Sequence, residues 1–160
     1  MTRVVLLVTG LCLLLGGAAL MVKHALGLPT GVVTYQQVLS RPEAHLYYPG
    51  AHVVESHGDD EQPSLLEGNR PAFVQTYLVV SDAARAQVDD WYRTKLTTSG
   101  WHVDLKTDAD VSYARGTRES FTIGFAKVAP TGIPWDGRGT LYNIHYQLAP
   151  CSQAGVSCFW

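Results

Sequence analysis

The sequence predicts one α+β domain behind a single transmembrane helix, with the element order β-β-α-β-β-β and one main helix packed on an antiparallel sheet. Two observations predict this architecture. The first is an apolar run at residues 4–22, which is long enough for a membrane-spanning helix. The second is a series of segments in which apolar and polar residues alternate, as in strands, interrupted by one segment in which apolar residues recur at helical spacing. Because most strand segments follow one another directly, we expect antiparallel pairing. We place the anchor at residues 1–25, a stalk with a short helix at 26–42 and the domain at 43–160.

The apolar run reads VVLLVTGLCLLLGGAALMV, with Arg3 before it and Lys23 after it. As a helix it would be about 28 Å long, which matches the roughly 30 Å hydrocarbon core of a bilayer. A cleaved signal peptide is the alternative, because Gly17, Ala18 and Ala19 offer small residues to a peptidase. The run is, however, longer than the roughly 7–15 apolar residues of a signal peptide. We therefore expect an uncleaved, single-pass anchor in the cell membrane.

The three cysteines bear on the compartment. Cys12 follows Leu11 within the apolar run, whereas the cysteine of a lipoprotein signal follows Gly, Ala or Ser. Cys151 and Cys158 form a close pair in an otherwise cysteine-free domain, which favours a disulfide and an oxidising compartment. A metal site is the alternative for this pair, but it lacks the further ligands of structural zinc. We expect a cytoplasmic N-terminus and an extracytoplasmic C-terminal domain.

The charge of the chain excludes one class of partner. The formal net charge is −2 and the 12 basic residues are scattered. A nucleic-acid-binding domain needs a clustered basic surface, so we expect no nucleic-acid partner. The roughly 135 residues after the anchor are enough for one domain with its own core.

Thr34 to Leu39 is a brief helix in this interpretation, and the turn at Pro49-Gly50 precedes a first strand over Ala51–Ser56. Ala72–Val80 has the β-branched and aromatic residues of a central strand. Ser81 then offers an N-cap for the main helix, which ends before a glycine of the type found after C-caps. The apolar residues of this helix recur at helical spacing; they are Ala84, Val88, Trp91, Tyr92 and Leu96.

The segments after the helix have a two-residue period. Trp101, Val103 and Leu105 alternate with polar residues, which is typical of a strand with one wet face. Val111–Arg115 is a short strand, and Ser120–Val128 alternates aromatic and branched residues with small ones. A loop rich in Pro and Gly separates these from a last strand whose core face is Tyr142, Ile144, Tyr146 and Leu148.

One set of turn and core residues carries a recognisable pattern: Leu46-Tyr47-Tyr48-Pro49-Gly50-Ala51, Trp91-Tyr92, Leu96 and Ser99-Gly100-Trp101. This pattern resembles a loose group of uncharacterised bacterial membrane-anchored envelope proteins. In that group a YPGA-type turn opens a small domain, and a helix bearing an aromatic-Tyr pair ends in Gly-Trp. The resemblance covers Glu43 to Val128 and implies a domain that follows a membrane anchor, with no established activity, cofactor or catalytic residue.

Candidate chemistry is sparse. A polar cluster surrounds the end of the first strand, but on a regular strand His52 and Glu55 point to opposite faces, so we interpret the cluster as a solvated acidic loop. The side chains of Asp89 and Asp90 point about 100° apart around the helix, so they do not form a carboxylate pair. No sequence pattern gives His145 a catalytic partner. We expect no enzyme, no cofactor and no metal site, because no catalytic motif is present. The polar cluster at the end of the first strand consists of His52, Glu55, His57, Asp59, Asp60 and Glu61.

Three aromatic residues stand where a core does not need them: Trp135 in the Pro- and Gly-rich loop, and Phe159 and Trp160 at the chain end. They are our candidate contacts for a membrane-protein partner or the lipid bilayer, since Trp is favoured at both kinds of interface. The alternative is that the rings fold back onto the sheet. The favoured function is an accessory or structural subunit of a larger envelope complex. An extracytoplasmic module that binds a small ligand, wall polymer or peptide on the uncovered sheet face is the alternative.

An uncleaved anchor predicts that protein purified from membranes has the intact mass of residues 1–160. Mass spectrometry of the whole chain measures this directly. A mature chain that begins near Leu20 would show instead that a signal peptidase removes the apolar run.

A disulfide between Cys151 and Cys158 predicts that neither thiol reacts with an alkylating reagent unless a reductant is added first. In the chain-entropy model such a short loop contributes about 2–3 kcal/mol, and we expect its loss to loosen the C-terminus more than the core. Alkylation of both thiols without reductant would contradict the pairing.

Overall fold

The computed structural model describes residues 32–62 and 70–148, and within these residues six strands form one antiparallel sheet that carries one main helix. The α+β class is thereby confirmed. No helix in the described part of the chain is long and apolar enough to cross a membrane. The predicted anchor, the cysteine pair and the terminal aromatics Phe159 and Trp160 lie outside the described residues.

The strands follow the sheet order β1-β2-β6-β5-β4-β3, with every neighbouring pair antiparallel. The described elements run β-β-α-β-β-β-β, one strand more than the predicted order, because each of the four alternating segments after the main helix forms a strand of its own. The strands are β1 (His52–Asp59), β2 (Ala72–Val80), β3 (His102–Lys106), β4 (Asp110–Arg115), β5 (Glu119–Phe125) and β6 (Thr140–Leu148). The helices are α1 (Tyr35–Leu39), a 3₁₀ helix (Pro42–His45) and α2 (Arg85–Thr98).

The alternation predicted for the central strands is present in the structure. Along β2 the buried and half-buried side chains alternate without interruption, and β6 does the same from Tyr142 to Leu148. The buried side chains form a core with those of α1 and α2, and we call this side of the sheet the covered face. The other side is the open face.

Helix α2 begins later than predicted. Ala84 occupies the N-cap position, and its N–H donates to Oε1 of Gln87 at 2.8 Å. Ser81 is not the cap, because Ala83 is buried and its carbonyl accepts a hydrogen bond from Oγ1 of Thr140 at 2.8 Å, which holds this segment beside β6. The helix ends as predicted at Gly100, whose φ of +82° suits a residue without a Cβ.

The aromatic residue that α2 inserts into the core is Tyr92, which is fully buried between Val88 and Leu96 on the helix surface. Trp91 was expected to be buried as well, but it is only half-buried. It lies one residue round the helix and contacts Tyr48 edge-on, with ring centroids 5.5 Å apart. Trp101 is buried as predicted, at 3% exposure.

Strand β3 differs from its predicted pattern. Val103 and Leu105 were expected to be core residues, but they are 46% and 58% exposed. The reason is that β3 is an edge strand, and its pairing with β4 shifts register between these two residues. The irregularity breaks the two-residue period that places alternate side chains on one face.

The N-terminal part of the described chain also departs from prediction. The short helix was predicted as part of a stalk at 26–42, yet α1 packs on the domain, with Val38 fully buried. Gly58 permits this approach, since a Cβ there would collide with the ring of Tyr35. Residues 32–42 therefore belong to the domain.

The burial difference between the two tryptophans gives a stability prediction. Trp101→Ala should reduce the free energy of unfolding by about 3–5 kcal/mol, because it opens a cavity in the core. Trp91→Ala should cost clearly less, since part of the ring already contacts solvent. Urea unfolding of both variants measures the difference, and equal losses would contradict the helix orientation described above.

Candidate functional site

The open face is the candidate functional site, because the described helices pack on the other side of the sheet. Antiparallel partners place their side chains on the same face, so the strand register defines rows of side chains that cross the sheet. The middle row is wholly polar. It consists of His57, Gln75, His145, Thr122 and Ser112, on β1, β2, β6, β5 and β4 in that order.

Two further rows flank the middle one. The first row consists of Glu55, Tyr77, Asn143, Gly124 and Asp110. The third row consists of Asp59, Phe73, Gln147, Ser120 and Ala114. In these rows the carboxylates lie on the edge strand β1 and on β4, whereas β2, β6 and β5 carry polar and aromatic groups without a carboxylate.

The rows also differ in side-chain size from one strand to the next. Strands β2 and β6 present long or aromatic side chains, whereas β5 and β4 present mostly small ones. We call the first pair of strands the ridge and the second pair the trough. The trough is floored by Ser112, Ala114, Ser120, Thr122 and Gly124.

Contacts within the ridge fix its side chains. The rings of Phe73 and His145 meet edge-on with centroids 5.0 Å apart. Nε2 of Gln75 donates to the hydroxyl of Tyr77 at 3.1 Å, and Nε2 of Gln147 lies 3.2 Å from Nε2 of His145. These contacts restrict the rotamers of the ridge side chains before a ligand binds, so binding costs less side-chain entropy.

Gly124 is the point where ridge and trough meet. A Cβ at this position would collide with Oδ1 of Asn143 and would lie 2.7 Å from Oδ1 of Asp110. The absence of a side chain therefore lets an amide oxygen and a carboxylate oxygen approach the same point from two strands. This pair of acceptors was not apparent in the sequence, because Asp110 and Asn143 are far apart in the chain.

The predicted polar cluster is divided by the structure. A register shift between Val53 and Glu55 places His52 and Glu55 opposite Val79 and Tyr77, so both lie on the open face. The prediction that they point to opposite faces is wrong, because it assumed a regular strand without a bulge. Within residues 32–62 and 70–148, no group of three or more His, Cys, Asp or Glu side chains is placed to hold a metal ion.

The acidic end of this cluster is also not the solvated loop that was predicted. Glu61 is only 5% exposed, and its carboxylate accepts from the N–H of Val33 at 2.9 Å. Asp60 accepts from the N–H of Tyr35 at 2.5 Å. These two carboxylates attach the N-terminal segment to the end of β1.

A cleft of about 540 Å³ lies at one end of the open face. Trp135 forms part of its wall and is half-buried, with Nε1 donating to the carbonyl of Arg138 at 2.7 Å. The loop thus holds the ring against the sheet more closely than an exposed loop tip would. The cleft is lined by His52, Val54, Val79, Pro134, Trp135 and Asp136.

The cleft lies at the end of the sheet opposite to the first described residues. Val33 contacts Glu61 just beyond the end of β1. Leu148, the last residue of β6, pairs with Ala72 at the same end of the sheet. The cleft adjoins the other end of β2, whose nine residues span about 27 Å.

Of the remaining sequence candidates, Asp89 and Asp90 form ion pairs and His145 belongs to the open face. Asp90 pairs with Arg93, and Asp89 pairs with Lys106 at 3.2 Å, so the two helix carboxylates serve different partners. His145 lies on the open face as part of the middle row.

An ion-pair network that the sequence pattern did not reveal lies on the covered side. Arg115 contacts Glu43 at 2.7 Å and Glu119 at 2.5 Å, and its guanidinium lies over the ring of Trp101. Burial alone would raise the pKa of Glu119, but hydrogen bonds from Arg115 and Tyr146 lower this pKa below its usual value. The five members of the network join the 3₁₀ helix, the residue before β3 and strands β4, β5 and β6, so we interpret the network as structural.

No family model, curated protein or solved structure matches the chain in comparisons with known proteins. The resemblance to membrane-anchored envelope proteins therefore stays a prediction.

Burial, followed by the neighbouring charge of His57, lowers the pKa of His145 below its usual value. The unfolded chain then binds a proton at this histidine more readily than the folded domain, so the free energy of unfolding falls as the pH drops below about 6.5. His145→Gln should weaken this fall, whereas His102→Gln on the exposed edge strand should preserve it. Thermal unfolding between about pH 8 and pH 5 measures both variants; identical slopes in wild type and His145→Gln would contradict the assignment.

Proposed function

We propose that the chain is a membrane-anchored, non-enzymatic binding module that holds its ligand on the open face. The observation that carries this proposal is the composition of the central strands. Apart from Gly124, the side chains that these strands contribute to the three rows are amides, hydroxyls, aromatic rings and an imidazole, several of them are in contact, and no described helix covers them. The apolar side chains of Val79 and Leu141 continue β2 and β6 beyond the rows. Because the contacts within the rows already hold these groups in place, a ligand would lose little entropy in ordering them.

An accessory subunit of an envelope complex is the second candidate, and strand β3 favours it. Its five residues are all exposed, it lies at the sheet edge, and it presents the apolar side chains of Val103 and Leu105. An exposed edge of this kind can pair with a strand of another chain. On this proposal, Trp135, Phe159 and Trp160 remain the predicted aromatic contacts.

Substitutions on the two surfaces distinguish the candidates. If the chain is a binding module, Thr122→Arg should abolish retention of the ligand, because the long, charged arginine side chain would occupy the space above the small residues of the trough. The matched control is Thr94→Arg on the solvent side of α2. Leu105→Arg on β3 tests the edge.

The experiment is affinity capture of the tagged full chain from gently solubilised source membranes, followed by native mass spectrometry. We expect a bound low-mass or polymeric ligand with wild type, Thr94→Arg and Leu105→Arg, and none with Thr122→Arg. A stoichiometric protein partner that is lost only in Leu105→Arg would support the accessory subunit instead. Thermal unfolding of each variant verifies that the fold is intact.

A further inference from the structure

We infer that the open face binds a neutral polyhydroxylated chain, a glycan, which lies along the trough of β4 and β5 against the ridge of β2 and β6. This inference rests on the proposed binding function and specifies its ligand. The features that carry it are the charge of the face, its hydrogen-bonding groups and its shape.

The charge of the face favours a neutral ligand. Among the described residues, the open-face side chains of β2, β6 and β5 include no Lys, Arg, Asp or Glu. The carboxylates of Glu55 and Asp59 lie on the edge strand β1, and that of Asp110 lies on β4, at one end of the trough. An anionic polymer would meet these carboxylates without a compensating cation, so phosphate-rich and polyacidic ligands are disfavoured.

The hydrogen-bonding groups match sugar hydroxyls. A hydroxyl both donates and accepts, and amide and hydroxyl side chains offer both functions. The ridge supplies the amides of Gln75, Asn143 and Gln147, and the trough supplies the hydroxyls of Ser112 and Thr122, which are 2.9 Å apart. The two oxygens that converge at Gly124, from Asn143 and Asp110, can accept from neighbouring hydroxyls of one sugar ring.

The aromatic rings provide the second kind of contact that sugars make. The flat side of a pyranose ring is a patch of C–H groups, which packs on an aromatic ring and excludes water from it. Phe73 and Tyr77 lie on the open face of β2, four residues apart with Gln75 between them, and are held by His145 and Gln75 respectively. Ordered rings cost a ligand little entropy on binding.

The shape favours a chain over a compact molecule. Strands β4 and β5 have six and seven residues, so the trough is about 20 Å long. A peptide would fit this length, but peptides bind sheets at the edges, through backbone groups that are unpaired there. On the face of a sheet those groups are already bonded within the ladder, so a peptide could not pair there as an added strand.

Nuclear magnetic resonance of the full chain in detergent micelles tests the inference, with cellotetraose, chitotetraose and maltotetraose as neutral probes. We expect at least one of them to shift the side-chain amide signals of Gln75, Asn143 and Gln147. The signals of Gln36 and Gln87, on α1 and α2, are the internal controls and should not move. Tetragalacturonic acid is the anionic counterpart of the same length and should shift none of these signals.

Two substitutions connect the signals to the proposed contacts. Asn143→Ala should weaken saccharide binding by about tenfold, which corresponds to the loss of hydrogen bonds worth about 1.4 kcal/mol. Thr122→Val keeps the shape of the side chain and removes only its hydroxyl, so it should weaken binding without affecting the fold. Thr94→Val on α2 is the matched control and should bind as wild type does.

The outcomes separate this inference from the proposed function. If none of the neutral tetrasaccharides shifts the open-face amides, or if control amides shift equally, the glycan inference is overturned. Should the ligand captured from membranes be a peptide or an anionic polymer that Thr122→Arg releases, the binding module stands and the glycan is wrong. Open-face signals that change only with protein concentration would identify a second copy of the chain as the occupant and would likewise overturn the inference.

Discussion

The buried side chain of Tyr92 is the contact on which the arrangement of the domain depends. Its ring lies against Phe121 and Tyr142 on the covered face, and its hydroxyl donates to the carbonyl of Leu46 at 2.8 Å. A buried tyrosine hydroxyl needs such a partner, and burial raises its pKa, so it stays protonated. One side chain thereby joins α2, the sheet and the segment after the 3₁₀ helix on the same side.

This one-sided packing explains the character of the other face. The side chains that stabilise the core by leaving water are nearly all on the covered face, so the open face is not required to be apolar. It instead carries a grid of amides, hydroxyls and rings whose positions are set by strand register. A binding surface built on rigid strands keeps its geometry without loop rearrangement, which is the basis of the function proposed for it.

The sequence predicted the elements whose period is uninterrupted, and it failed where a contact distant in the chain decides the outcome. Strands β2 and β6 followed their alternation, but the bulge in β1 reversed the expected relation of His52 and Glu55. The start of α2 was displaced from Ser81 by the hydrogen bond between Ala83 and Thr140. The rows of the open face were beyond prediction, because they depend on which strands pair and in which register.

Hydroxyl-radical footprinting in intact source cells tests most directly whether the open face is occupied, since it requires no knowledge of the ligand. If a ligand covers the open face, Phe73, Tyr77 and His145 should be modified less in cells than in the purified full chain. Tyr48 and Trp91, which are half-buried on the helix side, should be modified equally in both. Equal modification of the open-face rings in cells and in purified protein would show that the open face is unoccupied.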